Sequence, residues 1–521
     1  MNQKKTLWLC LVLAAGCAVL FGGCEAITAL FGGGGENGGG GGEDPGNEPS
    51  FDPTIPSFYV SENGDDDDND GMSEDTPFAT LSKAYEAAKD DTTRRRIVVL
   101  SNLSQEEAVE FNSASDGFIT IEGKDLITIT DEKGNDKTIA KYTITRSVRQ
   151  EDDKGSVLEI TGSAKIKFVN IIVNGIVGDG SSIYNRAIKV DGVGSAVTLE
   201  KGAMITGKLT GEASGDKPGS NNQNGSGIFV TNDGTLTIAE GSEVTKCGWE
   251  NKGYGAVYVD NGGSVLMTGG SINNNTPYRG AVALYQNSTF TMTGGEIRKN
   301  TSSNYGGGIY AYGKSGNETD SPTLALVGGN ILNNTATAGA GIYALNTLAK
   351  FTIGSNEGDG PVISYNEAVF SGGGIEVSNA GENIEMKSGT ISDNTVTSEE
   401  DGFGGGVTVS ANLDNVTFTM SGGEISHNTA TSGGGVSLFS NKADKKISFI
   451  LSGGTIYGSN SDAEKANVST TSGSAAIYQK ASTAENKSTS VTIGQKLPET
   501  TSNIAKSWDE TITKDYTGSP Q

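Results

Sequence analysis

One short motif, Gly-Gly-x-Ile-x-x-Asn, recurs through the chain and constrains the fold more than any other feature. It reads GGSINNN at Gly269–Asn275 and GGEIRKN at Gly294–Asn300. It returns as GGNILNN at Gly328–Asn334 and GGEISHN at Gly422–Asn428. Looser copies occupy Gly360–Asn366, Ser388–Asn394 and Gly453–Asn460. The central apolar residues run from Ile205 to Ile456 in eight intervals that cover 251 residues, a mean period of about 31. A period of that size marks a solenoid, whose units bury a face only by stacking on one another.

Two further signatures fill each period. A Gly-Gly-Gly-Ile/Val segment lies between the first copies, at Gly306–Tyr310, Gly372–Glu376, Gly404–Thr408 and Gly433–Ser437. A segment of period two precedes each Gly-Gly-x-Ile: Thr289–Met292, Thr323–Leu326, Thr417–Met420 and Ser448–Leu451. Alternation of that kind means a strand with one buried face. Met267, Met292, Leu326, Met386, Met420 and Leu451 each stand five residues before the isoleucine of their repeat. Three short strands per period, separated by glycine corners, predict an all-β fold: a single-stranded right-handed parallel β-helix. Roughly eleven coils at ~4.8 Å make a rod of ~50 Å. Phe290, Leu324, Ile384, Phe418 and Phe449 would form one interior column. Asn275, Asn300, Asn334, Asn394 and Asn428 would stack as an amide ladder, at corners where asparagine tolerates positive φ.

Composition agrees. Glycine supplies 76 of 521 residues, twice its ordinary ~7 % share. Hydrophobic residues make up 34 %, below the ~45–50 % of ordinary globular chains, which argues against a compact α/β enzyme core. The formal net charge is −25, and no cluster of Lys and Arg offsets it. Counterion-release binding to nucleic acid is therefore not expected.

The first 24 residues read as an export signal. Lys4 and Lys5 precede an apolar run from Thr6 to Phe21, then Gly22, Gly23 and Cys24. That is the layout of a secretory signal, and the run is too short for a comfortable membrane span. Small residues before Cys24 resemble the lipobox of bacterial lipoproteins; Cys17 is the alternative. The resemblance implies a lipid on the cysteine, a membrane as partner, and an exported protein anchored at a bacterial cell surface or outer membrane. Residues 25–56 include GGGGENGGGGGEDPGNE, a flexible tether. Residues 57–96 read as an N-terminal cap with an acidic loop and a helix, N-capped by Thr76 with Pro77 first, whose buried face holds Phe78, Leu81, Tyr85 and Ala88. The β-helix occupies 97–495 and a polar tail 496–521.

The acidic loop offers Asp66, Asp68 and Asp70 as candidate calcium ligands. The EF-hand pattern fails, because position 12 would be Pro77 rather than a bidentate Glu. No other cofactor is expected. Cys247 is the one cysteine outside the leader, at a place where other repeats carry asparagine.

The chain resembles right-handed parallel β-helices of the pectin-lyase-like type. Its alternating glycine and x-x-Asn signatures are similar to the repeats of chlamydial-type polymorphic outer-membrane proteins, with Ile in place of Phe. The resemblance spans about residues 180–480 and implies surface placement. Other members of the fold degrade polysaccharides, so catalysis has to be argued from residues. The only histidine, His427, sits at an interchangeable turn position. No pair of carboxylates with the separation that glycosidases need stands out; Arg279 and Arg298 are the basic candidates for a lyase. Length variation concentrates in loops at 210–225, 311–322, 397–402 and 439–446, the usual binding material of a rigid solenoid. The residues thus favour an adhesin or other surface-binding or structural module without catalysis, with neighbouring-cell or host glycans or proteins as partners. A polysaccharide lyase or glycoside hydrolase is the alternative.

Overall fold

The computed structural model describes residues 51–515 apart from 115–116, 131–135, 148–154, 176–185, 208–226, 249–254, 440–444, 471–473, 480–488, 494–505, 509 and 514. The chain divides into residues 1–51 and a compact unit of residues 52–521. The leader with Cys17 and Cys24, the tether up to residue 50 and the loop 210–225 lie outside the described residues.

The larger unit is a parallel β-helix. Successive coils place like residues side by side. On the first face, Val197, Leu236, Val265, Phe290, Leu324, Phe351, Ile384, Phe418 and Phe449 pair in unbroken parallel register. All of them are buried. Each such side chain contributes about 1.5–3 kcal/mol by leaving water. The column contains the residues expected from the alternation, with Phe351 between Leu324 and Ile384. The second face stacks Ile272, Ile297, Ile331, Ile363, Ile391, Ile425 and Ile456. The five-residue offset spans the corner between the two faces. In the last regular coils, strands Val416–Ser426 and Ile447–Ile456 run through that corner without a break.

The glycine-corner strands form the third face, a sheet of thirteen strands. A fourth, short ribbon of five strands joins the second and third faces between Thr335 and Ser469. Its inward residues Ala336, Ala368, Val396 and Ala430 form a small cluster of their own.

Both ends are closed, as exposed strand edges require. Helix α1, Leu81–Lys89, covers the N-terminal end with Leu81, Ala84, Tyr85 and Ala88. The ring of Tyr85 meets Phe111 edge-on at 4.8 Å. The helix begins four residues later than the capping pattern at Thr76 suggested: Thr80 is the N-cap and accepts from Lys83 N. Phe78 is drawn into an extended pairing instead, donating to Tyr59 O and accepting from Ser61 N, both at 2.9 Å. That tertiary pairing overrides the local signal. Before it, Asp52 O and Ile55 O accept from the guanidinium of Arg96 at 2.6 and 3.3 Å, so the end of the glycine-rich stretch is held against the fold. At the other end, strands Lys506–Trp508 and Ile512–Thr513 pair antiparallel to the last coil. Part of the polar tail therefore forms the C-terminal cap.

Candidate functional site

Each coil turns sharply where the glycine triplet enters the third face. Gly372 takes φ +59, and a Cβ there would lie 2.7 Å from Glu376 Cβ. The corner backbone thus folds against the first outward residue of the strand. The same packing recurs at Gly306 and Gly339 against Tyr310 and Tyr343. From Tyr258 to Ser437 the outward residues of this face are consequently buried, in a seam that runs across the coils and is half-buried at its ends. In register they are Lys189, Phe229, Tyr258, Ala283, Tyr310, Tyr343, Glu376, Thr408, Ser437 and Tyr478.

The seam is aromatic over five coils. Phe229 stacks on Tyr258 at 5.1 Å, Tyr258 meets Tyr285 at 5.3 Å, and Tyr285 meets Tyr310 at 5.9 Å. Tyr310 stacks on Tyr343 at 5.9 Å, and Tyr305 lies on Tyr343 at 4.6 Å. Tyr285 fills the gap left by Ala283 on its own strand. Tyr310 is fully buried, whereas Phe229, Tyr285 and Tyr305 are half-buried and Tyr312 is exposed. The stack is therefore closed at Tyr310 and partly open to solvent at Phe229, Tyr285, Tyr305 and Tyr312. A second group, Phe403, Phe439 and Tyr478, stacks at 6.1 and 6.3 Å toward the C-terminal end.

Charged groups border the rings. The guanidinium of Arg279 lies 5.3 Å from the Tyr310 ring and 5.4 Å from the Tyr278 ring. That of Arg186 lies 5.1 Å from Phe229. Tyr258 donates its hydroxyl to Asp260 at 3.0 Å, and burial pushes that carboxyl up. Glu376 is buried between Tyr343 and Thr408, and its carboxylate accepts from Ser371 Oγ. Burial pushes Glu376 up to about 7, and burial and the nearby Glu376 charge raise Tyr343.

Tyr310 ends one copy of the glycine-corner signature, but the repeat motifs do not single out the aromatic row. A signal exists all the same: an aromatic residue directly follows the corner's apolar residue in Gly-Ile-Phe at 227–229, Ala-Val-Tyr at 256–258, Gly-Ile-Tyr at 308–310 and 341–343, and Ala-Ile-Tyr at 476–478.

The asparagines sit on the inside of a different corner, after the second face. Asn334 Nδ2 donates to Ile297 O at 2.9 Å and to Asn366 Oδ1 at 3.0 Å. Its Oδ1 accepts from Asn300 N and Asn300 Nδ2 at 3.1 and 2.9 Å. The same pattern links Asn275, Asn300, Asn334, Asn366, Asn394, Asn428 and Asn467. Cys247 heads the row and donates its N–H to Asn275 Oδ1 at 2.9 Å. Burial pushes its thiol up to about 12. In the last repeat Asn467, not Asn460, takes the ladder place; Asn460 accepts from Thr511 in the C-terminal cap. Positive φ falls one residue earlier than expected, at Asn274, Lys299, Asn333, Tyr365, Asp393 and His427. Only that turn lets the following amide point inward. His427 accordingly stacks on its neighbour in the column, Nδ1 against Asp393 Oδ1.

Two carboxylates of the acidic loop, Asp66 and Asp70, accept hydrogen bonds within the N-terminal cap. Asp66 accepts from Ala79 N, Thr80 N and Thr80 Oγ1 at 2.7, 3.0 and 2.6 Å. Asp70 accepts from Met72 N and Thr76 Oγ1. Asp68 donates its N–H to Asp65. Among the described residues, no three His, Cys, Asp or Glu side chains are grouped to hold a metal ion. Arg298 pairs with Glu296 on the second face and Arg279 borders the third, so the two do not share a groove.

The chain matches no known family model, and no curated protein matches it.

Proposed function

We propose that this protein is a cell-surface binding module that holds an extended ligand along the aromatic seam of its β-helix. The observation that carries the reading is the row of Phe229, Tyr258, Tyr285, Tyr310 and Tyr343, continuous over five coils, with half-buried or exposed edges at Tyr285, Tyr305 and Tyr312. Tyrosine presents apolar area and a hydroxyl together, at little cost in side-chain entropy, which suits recognition of a polar chain. Export, a lipid on Cys24 and display on a bacterial cell follow from the leader sequence and belong to the same proposal. So does the choice of a glycan or a protein on a host or neighbouring cell as ligand.

A second reading has one specific observation in its favour. Glu376, in line with the rings, titrates near neutrality, the range of a general acid. It would make the seam the groove of a polysaccharide lyase or hydrolase.

One assay separates the two. The purified full chain in mild detergent is incubated with neutral and acidic polysaccharides, with and without calcium, while polymer length and retention are followed. Retention without shortening, weakened by Tyr285→Ala and Tyr312→Ala, is the expected result. Shortening that is lost in Glu376→Gln would replace the binding reading by the enzymatic one.

A further inference from the structure

Among the described residues, three arginines are more than nine-tenths buried, and two of them are satisfied. Arg96, 6 % exposed, bonds Ser57 Oγ at 2.7 Å and Asp52 O at 2.6 Å and pairs with Glu122 at 3.3 Å. Arg146, 2 % exposed, donates to Glu106 O and Ser156 O. The third, Arg186, is 6 % exposed, yet its guanidinium has no hydrogen-bond acceptor and no ion pair among the described residues. The guanidinium lies over the Phe229 ring, 5.1 Å from its centroid. Glu159, on the preceding coil, attracts it only from beyond ion-pair distance. Lys189 on the same strand is already neutralised by Asp191 at 2.7 Å. Beside Arg186 in register stands Ser156, whose hydroxyl is also buried and without a partner.

A buried guanidinium left unpaired is costly, and the same chain provides acceptors for the other two. Stacking on a ring occupies one face of the guanidinium and leaves its planar fork of donors free at the edge. That fork matches an oxyanion with two accepting oxygens. The site lies at the first ring of the aromatic seam, so a ligand running along the rings would end on it.

We infer that Arg186, stacked on Phe229, is an oxyanion-binding site that takes a carboxylate, sulfate or phosphate group carried by the ligand of the seam. The identity of the carrier rests on the proposed binding function; the site itself does not. With a net charge of −25 around it, the site selects an anion by local donors against an unfavourable general field.

The test uses thermal unfolding of the full chain against rising sodium acetate, sulfate or phosphate at constant ionic strength. The chain is expected to show a saturable rise in midpoint with one of the three, which names the group. In Arg186→Met that saturable part vanishes, leaving the shallow drift that such salts cause by exclusion. Without anion, Arg186→Met is expected to melt at or above the parent, because an unpaired charge has been removed. Arg186→Lys keeps the charge but loses the fork, and is expected to weaken the response at least tenfold. An equal saturable response in Arg186→Met, or no saturable response in the parent, overturns the proposal. If the anion response holds while polysaccharide and protein ligands all fail to bind the seam, the binding function fails and the oxyanion site stands.

Discussion

Replacing Asn334 by alanine tests the ladder most directly. The truncation deletes four hydrogen bonds: two donated by Nδ2, to Ile297 O and Asn366 Oδ1, and two accepted by Oδ1, from Asn300 N and Nδ2. Three of the four partner groups keep a second partner. Asn366 Oδ1 still accepts from Asn334 N, and Asn300 Nδ2 still donates to Ile272 O. The Ile297 carbonyl stays in the parallel ladder with strand Asn330–Leu332, so only the Asn300 N–H is left without a partner, inside a wall that water does not reach. At about 1–3 kcal/mol for the one orphaned group, the loss comes to roughly 2–4 kcal/mol once the small void is added. It should fall on adjacent coils, because coils in a solenoid contact only their neighbours. Native-state hydrogen exchange is the suitable assay. Amides of residues 296–301 and 330–335 should exchange about one and a half to three decades faster than in the parent. Asn330→Ala is the control: it removes the same side chain from an outward position with no side-chain bond, and should change stability by about 0.5 kcal/mol or less. If Asn334→Ala and Asn330→Ala differ by less than about 1 kcal/mol, the ladder does not hold the coils together and the reasoning is refuted.

Three other outcomes are expected. Glu376 titrates near 7 in the folded chain against an ordinary 4.5, so the folded state holds its proton more tightly and stability falls as pH rises from about 4.5 to 7. Glu376→Gln should abolish that slope, worth up to about 3 kcal/mol; denaturant midpoints at pH 5 and pH 8 measure it. In Gly406→Ala the new Cβ would lie 2.9 Å from Ile425 Cγ2 and 3.0 Å from Asn428 Nδ2; a loss of about 1–3 kcal/mol is expected from the denaturation midpoint. Cys247, buried with its thiol pushed up to about 12, should resist alkylation in the folded chain at pH 8 and react once unfolded, as a mass-spectrometric time course would show.

The interior of this fold was readable because it is made of constraints that repeat at fixed spacing. Met292 and Ile297 stand five residues apart for the same reason as Met420 and Ile425: both pairs flank one corner of unvarying geometry. Asn366 was harder to place as a ladder member, since its corner reads Gly-Pro-Val-Ile-Ser-Tyr-Asn and lacks the double glycine. Asn467 is separated from Ile456 by an insertion that displaces the motif's asparagine to another job. The aromatic seam was not read at all. Its members supply one outward residue per coil, at unequal intervals, and chain position alone does not reveal that the glycine corner folds back over them. The start of helix α1 was misplaced because a tertiary pairing of Phe78 with Tyr59 outweighs a good local cap. Arg186 carries no motif; only its burial without an acceptor marks it.

The stacking of coils has a mechanical consequence. The bonds between one coil and the next run along the rod, and each coil depends on its neighbours alone. A pull on the chain at one end therefore loads only the outermost rank, as in opening a zipper. Each coil released frees a period of about 31 residues, which extends to roughly 100 Å at about 3.3–3.6 Å per residue. Such a rod gives way in steps under tension and lengthens many times over before its last coil opens, so a load pulling on one end would be slowed before it is released.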